Sequence, residues 1–170
     1  MNSGVQRTDR KEAAMSKGLD VIIVDDDPLV VEITARIVNH FYTWGEVFVF
    51  SNVEDALEYC LIRESGIAVF IVDVFMGEKT GYMFLDSLSS KYPNIYSDTV
   101  MITGDASDEV VNACVASGIH HLIEKPVRPY ALQLAVRSIV SRYITFSRHL
   151  INNPDFAGLV LALDSEARGG

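Results

Sequence analysis

Basic residues and cysteine are scarce in this sequence, and long apolar runs are missing. Fourteen Lys and Arg stand against twenty-three Asp and Glu, a formal net charge of −9. An average field of that sign repels nucleic acid and anionic membrane, so neither is expected as a partner of this chain. The two cysteines, Cys60 and Cys114, have no CxxC spacing. They are expected to be small buried hydrophobes in a reducing, cytoplasmic compartment, with neither a disulfide nor a metal site. His40, His120, His121 and His149 also lack the spacing of metal ligands. The apolar stretch "VFIVDVFM" is broken by Asp73, which excludes it as a membrane span. The opening "MNSGVQRTDRKEAAMSKG" has no apolar core segment, so 1–18 is expected to be a disordered arm rather than a signal peptide. Met15 offers an alternative start. Internal repeats and low-complexity segments are absent.

The rest has the composition of a soluble globular domain. With 49% hydrophobic and 22% charged residues, 170 residues can bury one ordinary core and are short for two. Short continuous apolar runs occur at 19–24, 46–51, 67–72, 98–103 and 120–124, as in strands covered on both faces of a parallel sheet. Between them the spacing predicts helices over 28–41, 53–64, 80–91, 106–117 and 129–147. Asp27 before Pro28 is a helix cap followed by proline at the first helical position. "SGI" at 65–67 and again at 117–119 puts glycine where a helix is expected to stop. Five βα units in a row predict an α/β fold, a doubly wound five-stranded parallel sheet flanked by five helices. Beyond 147, Asn153, Pro154 and Asp155 resemble a helix start. Phe156, Leu159, Val160 and Leu163 then share one helical face, predicting a short C-terminal helix.

The polar residues at the carboxyl ends of the predicted strands form a chemical set. The first strand ends in Asp25 and Asp26, the third in Asp73, the fourth in Thr103, and the fifth in Glu124 and Lys125. All are expected at the sheet edge where this architecture binds ligands. Clustered carboxylates make a site for a hard divalent cation such as Mg2+, whose charge offsets their repulsion. A carboxylate beside the ion can act as a nucleophile toward a phosphoryl group, and an ammonium and a hydroxyl can hold phosphoryl oxygens.

At this point the chain resembles a family. "VDDDP", "VDVFMGEKTGYMFL", "MITGD" and "EKPV" follow the first, third, fourth and fifth strands, in the order and spacing of the CheY-like receiver domains of two-component response regulators, which have a flavodoxin-like fold. The resemblance covers about 19–147, leaving 148–170 as an extension. It implies a signalling phosphoacceptor of a phosphorelay rather than a metabolic enzyme. Asp73 would take a phosphoryl group from the phosphohistidine of a sensor histidine kinase or phosphotransfer protein. Asp26 would ligate Mg2+ directly and Asp25 through water, with Asp73 and the backbone carbonyl of Phe75 completing the set. Thr103 and Lys125 would each hold a phosphoryl oxygen, Gly104 would leave room for the group, and Lys125–Pro126 would be a cis peptide bond. A downstream protein target is implied too. The apolar helix 129–147 is either well buried or part of a homodimer or partner surface with 106–117 and 120–124. A DNA-binding output domain would require sequence outside this chain.

The chain departs from the family in three places. Leu122 occupies the usual aromatic switch position, with His121 expected on the opposite side of the strand. Gly77 replaces a usual proline and is expected to loosen its loop. Phe75 is bulky where the side chain governs water access to an acyl phosphate, so slow dephosphorylation is expected. A pseudo-receiver that acts without phosphorylation is therefore the alternative. An aspartate-nucleophile phosphohydrolase of the haloacid-dehalogenase type is disfavoured, because Phe75 stands where its second carboxylate belongs. "GEKTG" lacks the glycine-to-lysine order of a phosphate loop.

Overall fold

The computed structural model describes residues 18–168. It divides into two compact units, one ending at Val136 and the other beginning at Arg137. Apart from Gly18, the expected N-terminal arm lies outside the described residues. In chain order the elements are β1 (Val21–Val24), α1 (Pro28–Phe41), β2 (Val47–Phe50), α2 (Val53–Ile62), β3 (Val69–Asp73), β4 (Phe75–Met76), β5 (Lys79–Thr80), α3 (Gly81–Leu88), β6 (Thr99–Thr103), α4 (Asp108–Ser117), β7 (His121–Glu124), α5 (Pro129–Asn152) and α6 (Pro154–Arg168).

The five long strands form one parallel sheet in the order β2-β1-β3-β6-β7, as the alternating pattern predicts. Every residue of β1, β3 and β6 is buried, which explains their unbroken apolar runs. The outer strands differ from that expectation. Val49 in β2 is 47% exposed and Glu124 in β7 is exposed, because an edge strand has a neighbour on one side only. Strand alternation divides the core into two layers. Ile22, Val24, Phe70, Val72 and Met101 pack in one cluster with Tyr59 of α2, Phe84 and Leu88 of α3, and Cys114 of α4. Val21, Ile23, Val69, Ile71, Val100 and Ile102, one residue out of phase, serve the other face. A right-handed crossover puts α1 on that face, where Val31 and Val38 are buried, and Leu132 and Val136 at the start of α5 are buried as well.

Most helix ends follow local chemistry. Asp27 caps α1 by accepting the Leu29 N–H at 2.9 Å, ahead of Pro28. Gly118 ends α4 at φ +77°, with its N–H turned back to Cys114 and Val115. Gly66 does not play that part. The helix before it stops at Ile62 with Arg63 as its extended cap, and a Cβ at Gly66 would lie 2.8 Å from the Lys91 carbonyl oxygen. The C-terminal helix begins at Pro154 as expected, but α5 runs on to Asn152 and α6 is 15 residues long.

An ion pair anchors the amino end of the sheet. Arg63 Nη2 lies 2.7 Å from Asp20 Oδ2, and both side chains are at most 1% exposed. Asp20 Oδ1 also accepts the Glu46 N–H at 2.9 Å.

Candidate functional site

The strand order reverses beside β1. The chain leaves β1 toward β2 on one side, and from β3 it runs toward β6 and β7 on the other. Ligands of such sheets collect beyond the carboxyl ends of the strands at that reversal. Val24 pairs with Val72 in register, so the next residues, Asp25 and Asp73, emerge side by side. Asp26 follows on the exposed side of the same turn. One oxygen from each of Asp25, Asp26 and Asp73 lies within 4.8 Å of the others, two of the carboxylates buried and Asp26 exposed.

Each buried carboxylate is held. Asp25 Oδ1 accepts the Asp27 N–H at 2.9 Å, so the turn that starts α1 also orients Asp25. Lys125 Nζ lies 2.9 Å from Asp25 Oδ2 and 3.3 Å from Asp73 Oδ2. Lys125 is delivered by β7, where its N–H donates to the Thr103 carbonyl at 2.7 Å. The Lys125–Pro126 peptide bond is cis.

Electrostatics follow from this packing. Burial, and then the neighbouring Asp25 carboxylate, raise the pKa of Asp73. Lys125 and the Phe75 N–H, which donates to the Asp73 carboxylate, offset only part of that rise. For Lys125 burial disfavours the charge, but the hydrogen bond to Asp25 and the two carboxylates outweigh it and raise its pKa. The pocket therefore keeps its ammonium while holding more negative charge than one ammonium neutralises. A cation bound by oxygen ligands alone suits that imbalance.

Thr103 is buried at the end of β6, yet its hydroxyl does not turn to Asp73. It donates to the Asp105 carbonyl at 2.9 Å and accepts the Asp105 N–H at 3.1 Å. This closed two-bond turn was invisible in the sequence. A Cβ on Gly104 would meet nothing within 4 Å, so space remains beside Thr103.

The loop after Asp73 also differs from expectation. Gly77 does not loosen it: Phe75 pairs with Thr80 and Met76 with Lys79, forming a hairpin with a two-residue turn. Gly77 supplies the positive φ, +66°, that such turns favour. Lys79 is ion-paired with Glu54 in the first turn of α2, which ties the hairpin down. Phe75 is 54% exposed. Gly81 at the start of α3 supports the site from behind: a Cβ there would sit 2.4 Å from the Asp73 carbonyl oxygen. Leu122 packs against the core cluster, which leaves His121 on the other side of β7.

Comparison with known proteins agrees with this arrangement. Residues 21–137 match the response regulator receiver domain family. The chain belongs to that family. The receiver is 24% identical over 131 residues to the transcriptional regulatory protein MalR of Bacillus subtilis (strain 168), covering 77% of this chain and 54% of MalR. It thus spans about half the length of that curated relative. Solved receivers share its fold. The BeF3-activated DrrB receiver domain superposes with a TM-score of 0.61 at 22% identity, covering 73% of this chain and 98% of that one. CheY4 of Vibrio cholerae gives 0.61 at 23%, covering 72% and 98%. CheY in the CheX-CheY-BeF3-Mg complex of Borrelia burgdorferi gives 0.60 at 20%, covering 72% and 89%. Among the described residues no helix is long and apolar enough to cross a membrane.

Proposed function

We propose that this receiver accepts a phosphoryl group on Asp73 from the phosphohistidine of a sensor kinase or phosphotransfer protein. The observation that carries this reading is the meeting of Asp25, Asp26 and Asp73 with Lys125 at the strand-order reversal. In the transfer an Asp73 carboxylate oxygen attacks phosphorus. A P–O bond forms, the P–N bond to the donor imidazole breaks, and the imidazole leaves with the electron pair. Lys125, already 3.3 Å from Asp73, stays paired to the negative charge as it moves from carboxylate to phosphoryl. Asp25, Asp26 and Asp73, with the Phe75 carbonyl, are the residues that would hold Mg2+. The oxygen-only donor set fits that hard ion. When bound, Mg2+ supplies charge neutralisation for the incoming phosphoryl oxygens.

The Thr103 hydroxyl bonds a phosphoryl oxygen only by giving up its donor bond to the Asp105 carbonyl. That exchange frees the loop 104–107 ahead of α4, so phosphorylation redistributes two states of this loop. With Leu122 in the core layer, the hydroxyl exchange works without an aromatic partner. The receiver is proposed to occupy 19–147, with 148–170 an extension, and to act in the cytoplasm on a downstream protein target. Under this reading the chain is a signalling phosphoacceptor rather than a metabolic enzyme.

The alternative, an interaction module independent of phosphorylation, draws on Leu122 and on the engaged Thr103 hydroxyl. One experiment separates the two. Incubation with acetyl phosphate or a phosphohistidine donor and Mg2+ should add one phosphoryl mass to the protein and none to Asp73→Asn. No mass gain by the wild type, or a gain that survives Asp73→Asn, would refute phosphoacceptance at Asp73.

A further inference from the structure

Tyr82, the second residue of α3, reaches α4 with its hydroxyl. The ring is half-buried against the core cluster. The hydroxyl donates to the Val110 carbonyl and meets Cys114 Sγ, each at 3.3 Å. A tyrosine hydroxyl has one proton to give and lone pairs left to accept, so the Cys114 S–H can donate in return. Burial, and then the bond to the Cys114 thiol, raise the pKa of Tyr82, which keeps the donor proton in place. Val110 and Cys114 are the only buried residues among the ten of α4, whereas α3 buries four of its eight. The helix thus rests on two residues, and the Tyr82 hydroxyl touches both.

Both ends of this bridge lead to the acidic pocket. Val110 is held from its other side by Ser107, whose hydroxyl oxygen accepts the Val110 N–H at 3.4 Å. Ser107 closes the loop 104–107 that begins beside Thr103. Tyr82 is fixed through its neighbour, since the Gly81 N–H donates to the carbonyl of Val74, the residue after Asp73, at 2.9 Å. We propose, on the reading of Asp73 as the phosphoacceptor, that Tyr82 is a positioning residue whose hydroxyl latches α4 in the unphosphorylated arrangement and lets go on phosphorylation. When Thr103 gives up Asp105, the loop carries Ser107 with it, the first turn of α4 follows, and Val110 parts from Tyr82. The 3.3 Å bond to Val110 is longer than the roughly 2.7–2.8 Å usual between a hydroxyl and an oxygen, so it yields readily. The latch favours the state that phosphorylation must leave, and so sets how readily the receiver takes its label.

Tyr82→Phe keeps the ring and removes the hydroxyl. Acetyl phosphate with Mg2+ supplies the label, and hydrogen exchange of the amides of 111–117 in the full chain reads α4. Unphosphorylated Tyr82→Phe should exchange those amides about two- to fivefold faster than unphosphorylated wild type, the worth of one weak hydrogen bond. It should also take label faster by about two- to fivefold. Phosphorylation should speed the exchange in the wild type and add little in Tyr82→Phe. Tyr92→Phe is the control, because it deletes a 2.8 Å hydroxyl bond to the Cys60 carbonyl on α2. It should lower the melting temperature and leave the labelling rate unchanged, which separates the latch from a merely structural bond. A labelled wild type with the same labelling rate or the same α4 exchange in Tyr82→Phe would overturn the latch alone. Equal acceleration of labelling in Tyr92→Phe would overturn it too. A wild type that takes no label would instead remove the trigger, and so overturn the release together with phosphoacceptance at Asp73.

Discussion

Asp20→Ala should be among the most destabilising single changes in the receiver, although it lies at the end of the sheet opposite the acidic pocket. Asp20 Oδ2 and Arg63 Nη2 are 2.7 Å apart, with side chains 0% and 1% exposed. At that distance the gross attraction is about 6 kcal/mol for an effective dielectric constant of about 20. Desolvation of the two ions cancels much of it, so the pair's net worth is small while the cost of orphaning one member is large. Removing Asp20 leaves a buried guanidinium without its counter-charge, held by the Ile67 carbonyl, 3.3 Å from Nη1, and by the neighbouring Tyr92 hydroxyl. It also strips the Glu46 N–H of its acceptor. The expected loss is about 3–5 kcal/mol, a large share of the roughly 5–15 kcal/mol that holds a domain folded. Arg63→Met should cost a similar amount by stranding the carboxylate. The double variant should lose only about 2 kcal/mol, mostly for the orphaned Glu46 N–H. Urea unfolding at low temperature, read as midpoint shifts at constant slope, measures all three. Additive losses in the double variant, or a loss under about 1 kcal/mol for Asp20→Ala, would refute the reasoning. Labelling of Asp73 by acetyl phosphate should persist in every variant that remains folded.

The pocket yields four further expectations. Asp26→Asn should abolish the rise in melting temperature produced by Mg2+, whereas Asp27→Ala should keep that rise and lose about 1 kcal/mol through its missing cap. In metal-free protein the raised pKa of Asp73 sets a sign: its contribution is most favourable below the ordinary carboxylate value of about 3.9 and is lost as pH rises through the higher folded value. Asp73→Asn should therefore gain on the wild type in melting temperature as pH rises through that window, and a constant difference would count against the assignment. Gly81→Ala should displace Asp73 and cost at least about 1 kcal/mol, visible as slower labelling at a lower melting temperature. Phosphorylated wild type should hold its label far longer than Phe75→Ala, and equal decay rates would remove Phe75 from the control of water access.

The division between sequence and tertiary structure runs along the range of the forces involved. Continuous apolar runs, each ending in a polar residue, were enough to set out the parallel sheet. They also put Asp25, Asp26, Asp73, Thr103 and Lys125 at strand ends, because burial on two faces leaves a strand no polar alternative until it emerges. The cap at Asp27 and the stop at Gly118 were equally local, since each involves atoms only a few residues apart. Other features needed the packed chain. Asp20 and Arg63 are 43 residues apart and read singly as surface charges. Two-residue strands such as β4 and β5 have no periodicity to detect, and Gly77 reads as freedom until the paired backbone shows it as a turn. Gly66 and Gly118 both follow a helix and a serine, but only the second has the positive φ of a helix stop. The sequence by itself determined which chemistry gathers at the end of the sheet. Only tertiary structure decided its present state, with Lys125 shared by Asp25 and Asp73 and the Thr103 hydroxyl spent on Asp105, because a side chain's partner is whichever polar atom packing brings within hydrogen-bond reach.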